Sequence, residues 1–166
     1  MIKALARKLA TFKQFADWVI IELEYRRGSF DSTAEVLKAH ASMALLRAAA
    51  SDAELSVKLI RPRSAIKPAF GCRIQSAEDI WRVFTSTEIL DFAAAVGDKN
   101  PIHQLKPPIV PACLILETLC AEFDATFIKL KFKNFITADE PLSLRGNGER
   151  FEIISAGVRK VLGEFL

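Results

Sequence analysis

The run Gly97-Asp98-Lys99-Asn100-Pro101-Ile102-His103 places a carboxylate and an imidazole five residues apart. These two groups move protons near neutral pH once their surroundings adjust them, so the pair is a candidate for general acid–base work. His103 is one of only 2 histidines in the chain. The other, His40, lies in an alanine-rich stretch and reads as a structural or surface residue. Taken by themselves the residues leave a second reading open. Asp98 after Gly97 also fits an Asx turn, and His103 a hydrogen-bonded turn residue.

Such a pair needs rigid elements on both sides. Upstream, Thr85-Ser86-Thr87-Glu88 has the capping-box pattern that starts a helix. Ile89, Phe92, Ala93 and Val96 form its apolar face, and Gly97 is its C-terminal stop. Downstream, Pro107, Pro108 and Pro111 punctuate the chain. Pro111 suits the first turn of a helix that runs through Ala112, Cys113, Leu116 and Cys120 to Phe123. This helix is apolar nearly all round, so the rest of the fold must enclose it.

From residue 128 the apolar period changes to two. Ile128, Leu130 and Phe132 alternate with Lys129, Lys131 and Lys133, which predicts a strand with one wet face. Residues 142–144, 151–154 and 158–165 read as further strands, with Gly146-Asn147-Gly148 as a hairpin turn. Asp139 and Glu140, before Pro141, read as a solvated turn. A buried helix followed by an antiparallel meander predicts an α+β fold.

The front of the chain reads differently. Ile2, Leu5, Leu9, Phe12, Ala16, Val19 and Leu23 follow a 3-4 spacing that predicts a helix over residues 2–26. Ser32-Thr33-Ala34-Glu35 resembles a second capping box, opening an alanine-rich helix with Leu37, Ala41, Ala44, Leu45 and Ala48 inward. The pair reads as a helical hairpin turned at residues 28–31, made for packing or for contact with a second copy. Residues 55–70 read as a short extended segment and linker. The domain boundary falls near residue 70, giving a helical extension over 1–70 and a main domain over 71–166. No internal repeat is visible, and Trp18 and Trp81 read as packing residues.

Composition bounds the answer. The 166 residues are 51% hydrophobic and 26% charged, as in a globular chain with a proper core. Net charge is +3, with 12 Lys and Arg against 7 Asp and Glu in residues 1–70. That excess is too weak to predict a nucleic-acid partner. Cys72, Cys113 and Cys120 are odd in number, which argues against a disulfide framework and for a reducing, cytoplasmic setting. They read as small buried hydrophobes, and no metal site is expected. No apolar run reaches the ~18–20 residues that span a bilayer. The basic N-terminus reads as an ordinary helix in place of a transit peptide.

The seven-residue run resembles the signature of the MaoC-like dehydratases, the R-specific enoyl-CoA hydratases of the hotdog superfamily. Phe84-Thr85 with Ile89 and Phe92-Ala93 resembles the helix before that signature. Pro108-Ile109-Val110-Pro111 resembles the approach to the family's central helix. The resemblance covers about residues 80–165. It implies a hotdog fold, an antiparallel sheet wrapped around a central helix, assembled as a homodimer or higher homo-oligomer with sheets paired and sites near the interface. It implies hydration of trans-2-enoyl thioesters to (R)-3-hydroxyacyl thioesters, or the reverse, on coenzyme A or acyl carrier protein, with no metal or organic cofactor.

By the same resemblance Asp98 and His103 hold the reacting water and Asn100 orients them. The backbone N–H of Ala112, flanked by Pro111, polarises the thioester carbonyl, and Gly97 belongs to the substrate site. A helix N-terminus offers free N–H donors and a favourable dipole for that task. Three features depart from the family. Ala112 stands where many members have glycine. Only Gln104-Leu105-Lys106 separates His103 from Pro107, where the family has a longer segment over the acyl chain, which implies a more open acyl site. The front part has no counterpart in the simple family pattern. The alternatives are a non-catalytic acyl-thioester-binding regulator or scaffold, and a hotdog thioesterase.

Overall fold

Eight antiparallel strands in one sheet curl around a buried helix in a computed structural model that describes residues 1–66 and 80–166. The expected boundary near residue 70 and Cys72 lie outside the described residues. In chain order the elements are α1 (Ile2–Leu9), β1 (Val19–Arg27), β2 (Ala34–Ala39), β3 (Met43–Ala50), β4 (Ala53–Ile60), α2 (Ser86–Val96), α3 (Ala112–Glu122), β5 (Phe127–Phe132), β6 (Ser143–Asn147), β7 (Arg150–Ser155) and β8 (Val158–Phe165). Short 3-10 turns lie at Lys13–Phe15 and Pro101–Gln104.

The second half forms as its sequence predicts. The capping box starts α2, and α3 is buried at Cys113, Leu114, Ile115, Leu116 and Leu119. Ile128 and Leu130 of β5 alternate into the core. Gly163 of β8 lets this half close, because a Cβ there would lie 2.0 Å from the Phe151 ring. That ring in turn stacks on Phe165, with centroids 4.3 Å apart.

The first half corrects the expected helical hairpin. Among its described residues only Ile2–Leu9 is α-helical, and residues 19–60 supply four strands of the same sheet. Val19, Ile20 and Ile21 are consecutive β-branched residues, which fit a pleated surface better than a helix. Val19 and Leu23 are both buried positions of β1, with a bulge at Ile20/Glu22 between them. In the alanine-rich stretch, Ala44, Leu46 and Ala48 are buried in strict alternation along β3. Glu35 closes no capping box; it sits opposite Arg47 across the β2–β3 pair and forms an ion pair with it. His40 lies exposed in the turn between those strands, its N–H bonded to the Met43 carbonyl.

Strand order is β2-β3-β4-β1-β5-β8-β7-β6. Read outward from the central β1–β5 pair, each half runs first, fourth, third, second strand, and each half begins with a helix. The topology therefore repeats where the sequence shows no repeat. The two four-stranded halves join through the antiparallel β1–β5 pair into one sheet. At the seam Lys129 lies 3.3 Å from Glu24 and 3.4 Å from Glu22, so the expected wet lysine stripe is ion-paired at that position. Helix α1 packs on β3 and beside α2 and α3, which brings the front of the chain to the signature turn.

Candidate active site

The site is built outward from the end of α2. Gly97 adopts φ 72°, the left-handed conformation that ends a helix and that glycine tolerates without strain. Its N–H reaches the Ala93 and Ala94 carbonyls, and the Asp98 N–H bonds Ala93 O at 2.9 Å. Arg7 Nε of α1 donates to the Ala95 carbonyl at 2.7 Å, a cation at a helix C-terminus. Asp98 therefore leaves a helix end that is held from two sides.

The turn that follows serves structure and site together. Asp98 Oδ1 accepts the Asn100 N–H at 2.9 Å, forming the Asx turn. Asp98 Oδ2 faces His103 Nε2 at 3.3 Å. Asn100 is buried and used at both ends. Its Oδ1 accepts the Ile102 N–H at 3.2 Å, capping the Pro101–Gln104 turn, and its Nδ2 donates to the Trp18 carbonyl at 2.8 Å. Trp18 does pack edge-on against Phe15, but its backbone oxygen is what anchors the turn. Sequence reasoning missed that role, and a main-chain acceptor leaves no residue-type signal.

His103 is 5% exposed, and its Nδ1 lies 2.7 Å from the Ile109 carbonyl oxygen. A carbonyl only accepts, so Nδ1 carries a proton. The other nitrogen, Nε2, faces Asp98: when protonated it donates to the carboxylate, and when unprotonated it is an acceptor beside it. Burial opposes charge on Asp98, but the His103 hydrogen bond and charge, with the Asn100 N–H, outweigh it and hold the carboxyl below its usual range. With Nε2 unprotonated, an acceptor nitrogen and an ionised carboxylate share one small space. A water donating one O–H to each satisfies both.

Helix α3 begins beside this pair. Pro111 is its N-cap and Ala112 its first residue. The Leu114 and Ile115 N–H groups both turn to the Pro111 carbonyl, at 3.0 and 3.3 Å, while those of Ala112 and Cys113 meet no acceptor among the described residues. The Cys113 thiol is pushed up to about 12 by burial and by the charge on Asp98, so it is an inert filler as expected. Burial likewise pushes Cys120 up to about 11. Among the described residues no group of three or more His, Cys, Asp or Glu side chains comes together as a metal site.

One cavity of about 670 Å³ joins these parts, lined by Gly97, Asp98, Asn100, His103, Pro111 and Ala112 together. The segment after His103 is short, yet the cavity is walled from the front of the chain by Leu9, Phe12, Phe15 and Trp18. The expected solvated turn at 139–140 is half corrected. Asp139 does sit in a turn, at φ 61°, but Glu140 is largely buried and lies 2.5 Å from the Lys160 ammonium.

No family model matches the chain, and no curated protein sequence matches it. Solved structures do. HtdX from Mycobacterium tuberculosis is similar over 99% of this chain and 86% of its own, with a TM-score of 0.66 and 14% identity. A MaoC-like dehydratase from Phytophthora capsici is similar over 91% and 72%, with a TM-score of 0.56 and 16% identity. An acyl-ACP thioesterase from Bacteroides thetaiotaomicron is similar over 90% and 75%, with a TM-score of 0.51 and 9% identity. The chain thus has the hotdog fold. Among the described residues no helix is long and apolar enough to cross a membrane.

Proposed function

We propose that this protein hydrates trans-2-enoyl thioesters to (R)-3-hydroxyacyl thioesters, or runs the reverse dehydration, with Asp98 and His103 as the acid–base pair. One observation carries the reading: Asp98 Oδ2 lies 3.3 Å from the buried His103 Nε2, in a cavity also lined by Ala112 at the free N-terminus of α3. In the forward direction the water oxygen attacks the β-carbon and one water proton passes to the pair. A proton returns from the pair to the α-carbon, so the sum is addition of H and OH across the double bond. Asn100 keeps the turn in shape throughout.

The α3 N-terminus serves the electronic half of the reaction. As the β-carbon is attacked, negative charge moves to the thioester oxygen. The Ala112 N–H donates to that oxygen and the helix dipole favours the charge. Such a donor is worth about 10²–10³ in rate, and acid–base help about 10²–10⁴. The carrier is coenzyme A or acyl carrier protein.

The likeness to an acyl-ACP thioesterase favours one competing reaction, in which water attacks the thioester carbonyl and the thiol leaves. A single assay separates them. Purified protein is mixed with crotonyl-CoA and longer trans-2-enoyl-CoA, and enoyl absorbance and free thiol are followed together. Loss of absorbance without thiol release is expected. Thiol release assigns hydrolysis. Binding without either change, on both coenzyme A and carrier-protein thioesters, assigns a regulator or scaffold.

A further inference from the structure

We propose that Glu140 and Lys160, both outside the signature, are positioning residues for the acid–base pair, acting through the extended segment 108–110. The inference rests on the acid–base reading of His103.

The backbone of this segment is bonded along both edges. On one edge the Ile109 N–H donates to the Ile102 carbonyl at 3.1 Å, and the Ile109 carbonyl accepts from His103 Nδ1 at 2.7 Å. On the other, the Val110 N–H donates to Ile136 O and the Ala138 N–H donates to Pro108 O, each at 2.9 Å, with Ile109 bridging Thr137. Successive residues of an extended chain present their backbone polar groups to opposite edges. Residues 136–138 therefore set the rotation of segment 108–110, and that rotation sets where the Ile109 carbonyl points.

Residues 136–138 are in turn held by one buried ion pair. Lys160 Nζ lies 2.5 Å from Glu140 Oε1 and donates to the Phe135 carbonyl at 2.9 Å. Glu140 Oε2 accepts the Thr137 N–H at 2.9 Å and the Thr137 hydroxyl at 3.2 Å. The two side chains are only 10% and 13% exposed, so this pair is not a surface contact. The chain of contacts runs from Lys160 on β8 to Glu140, Thr137, Ile109 and His103, and segment 108–110 leads directly into the first turn of α3. The same pair thereby steadies the acid–base group and the backbone donor that the reaction needs.

Losing one partner of a buried pair leaves an unpaired charge, so the informative variant removes both. Lys160→Met with Glu140→Met keeps comparable volume and leaves no charge. The ring nitrogens of His103 are read by ¹⁵N NMR, where His40, exposed on its turn, is the internal reference. The native protein holds His103 with Nδ1 protonated. The double variant is expected to lose that single tautomer, and kcat for crotonyl-CoA hydration is expected to fall about tenfold or more with KM little changed. A double variant that unfolds cooperatively, keeps the native His103 tautomer and keeps the native kcat overturns the proposal. Glu140→Gln keeps the shape and the Thr137 contacts and is read on the same scales if the double variant does not fold. The NMR result is independent of the reaction: a lost tautomer in a protein that turns over no enoyl thioester sinks the hydratase reading and leaves the positioning role standing.

Discussion

Asn100 Nδ2 donates to the Trp18 carbonyl at 2.8 Å, joining residues 82 apart in sequence. The bond ties the turn that carries Asp98 and His103 to the start of β1, so the first half of the chain holds the chemistry of the second. Asn100→Ala removes this donor and the cap on the Ile102 N–H. A lost buried partner and a lost cap together cost about 1–3 kcal/mol. Urea denaturation should show that loss, with a matching fall in hydratase rate; an unchanged midpoint would mean that the two halves are held together elsewhere.

Asp98→Asn and His103→Ala should each lower kcat by about 10²–10⁴ while the fold persists. The two side chains act on one water, so the double variant should lose far less than the product of the single losses. Steady-state kinetics on the three variants, with circular dichroism as the control for folding, checks this. Fully multiplicative losses would show that the two residues act separately.

Asp98 also makes an acid-dependent contribution to stability. Its folded pKa lies below the ordinary value of 3.8. The contribution is complete above that unfolded value and is lost as pH falls through the lower folded one. The stability advantage of the native protein over Asp98→Asn should therefore shrink between about pH 5 and pH 2. Denaturation midpoints measured across that range decide it, and a constant difference would mean that the Asp98–His103 contact stores no stability.

Gly97→Ala tests the helix end that aims Asp98. A Cβ at Gly97 meets nothing within 4 Å, so only the left-handed conformation, φ 72°, opposes it. That costs roughly 1–2 kcal/mol. Thermal unfolding should show a drop of that size. Gly97→Asn should be milder, because asparagine visits this conformation more readily. A drop for alanine no larger than that for asparagine would count against the conformational account.

Local chemistry was legible in the chain. The capping box Thr85–Glu88, the stop at Gly97, the all-round apolar α3 and the alternating β5 are set by contacts within a few residues, and all appear where their patterns place them. The first half misread because two periods overlap in it. Leu5 and Leu9 belong to a helix, but Val19 and Leu23 belong to a strand that exists because β4 and β5 pair with it. Pairing partners 26 to 41 residues away on β4 and 101 to 109 away on β5 leave no mark in the 3-4 spacing itself.

By itself the sequence determined the signature turn, its Asp98–His103 spacing and the two helices that frame it, since capping, glycine conformation and apolar periodicity act locally. Only the tertiary structure decided that residues 19–60 complete the same sheet, that the Trp18 and Ile109 carbonyls hold Asn100 and His103, and that Glu140 is a buried partner of Lys160. Those relations run through main-chain oxygens and side chains brought together by strand pairing. A carbonyl is the same at every residue, and burial belongs to the folded whole.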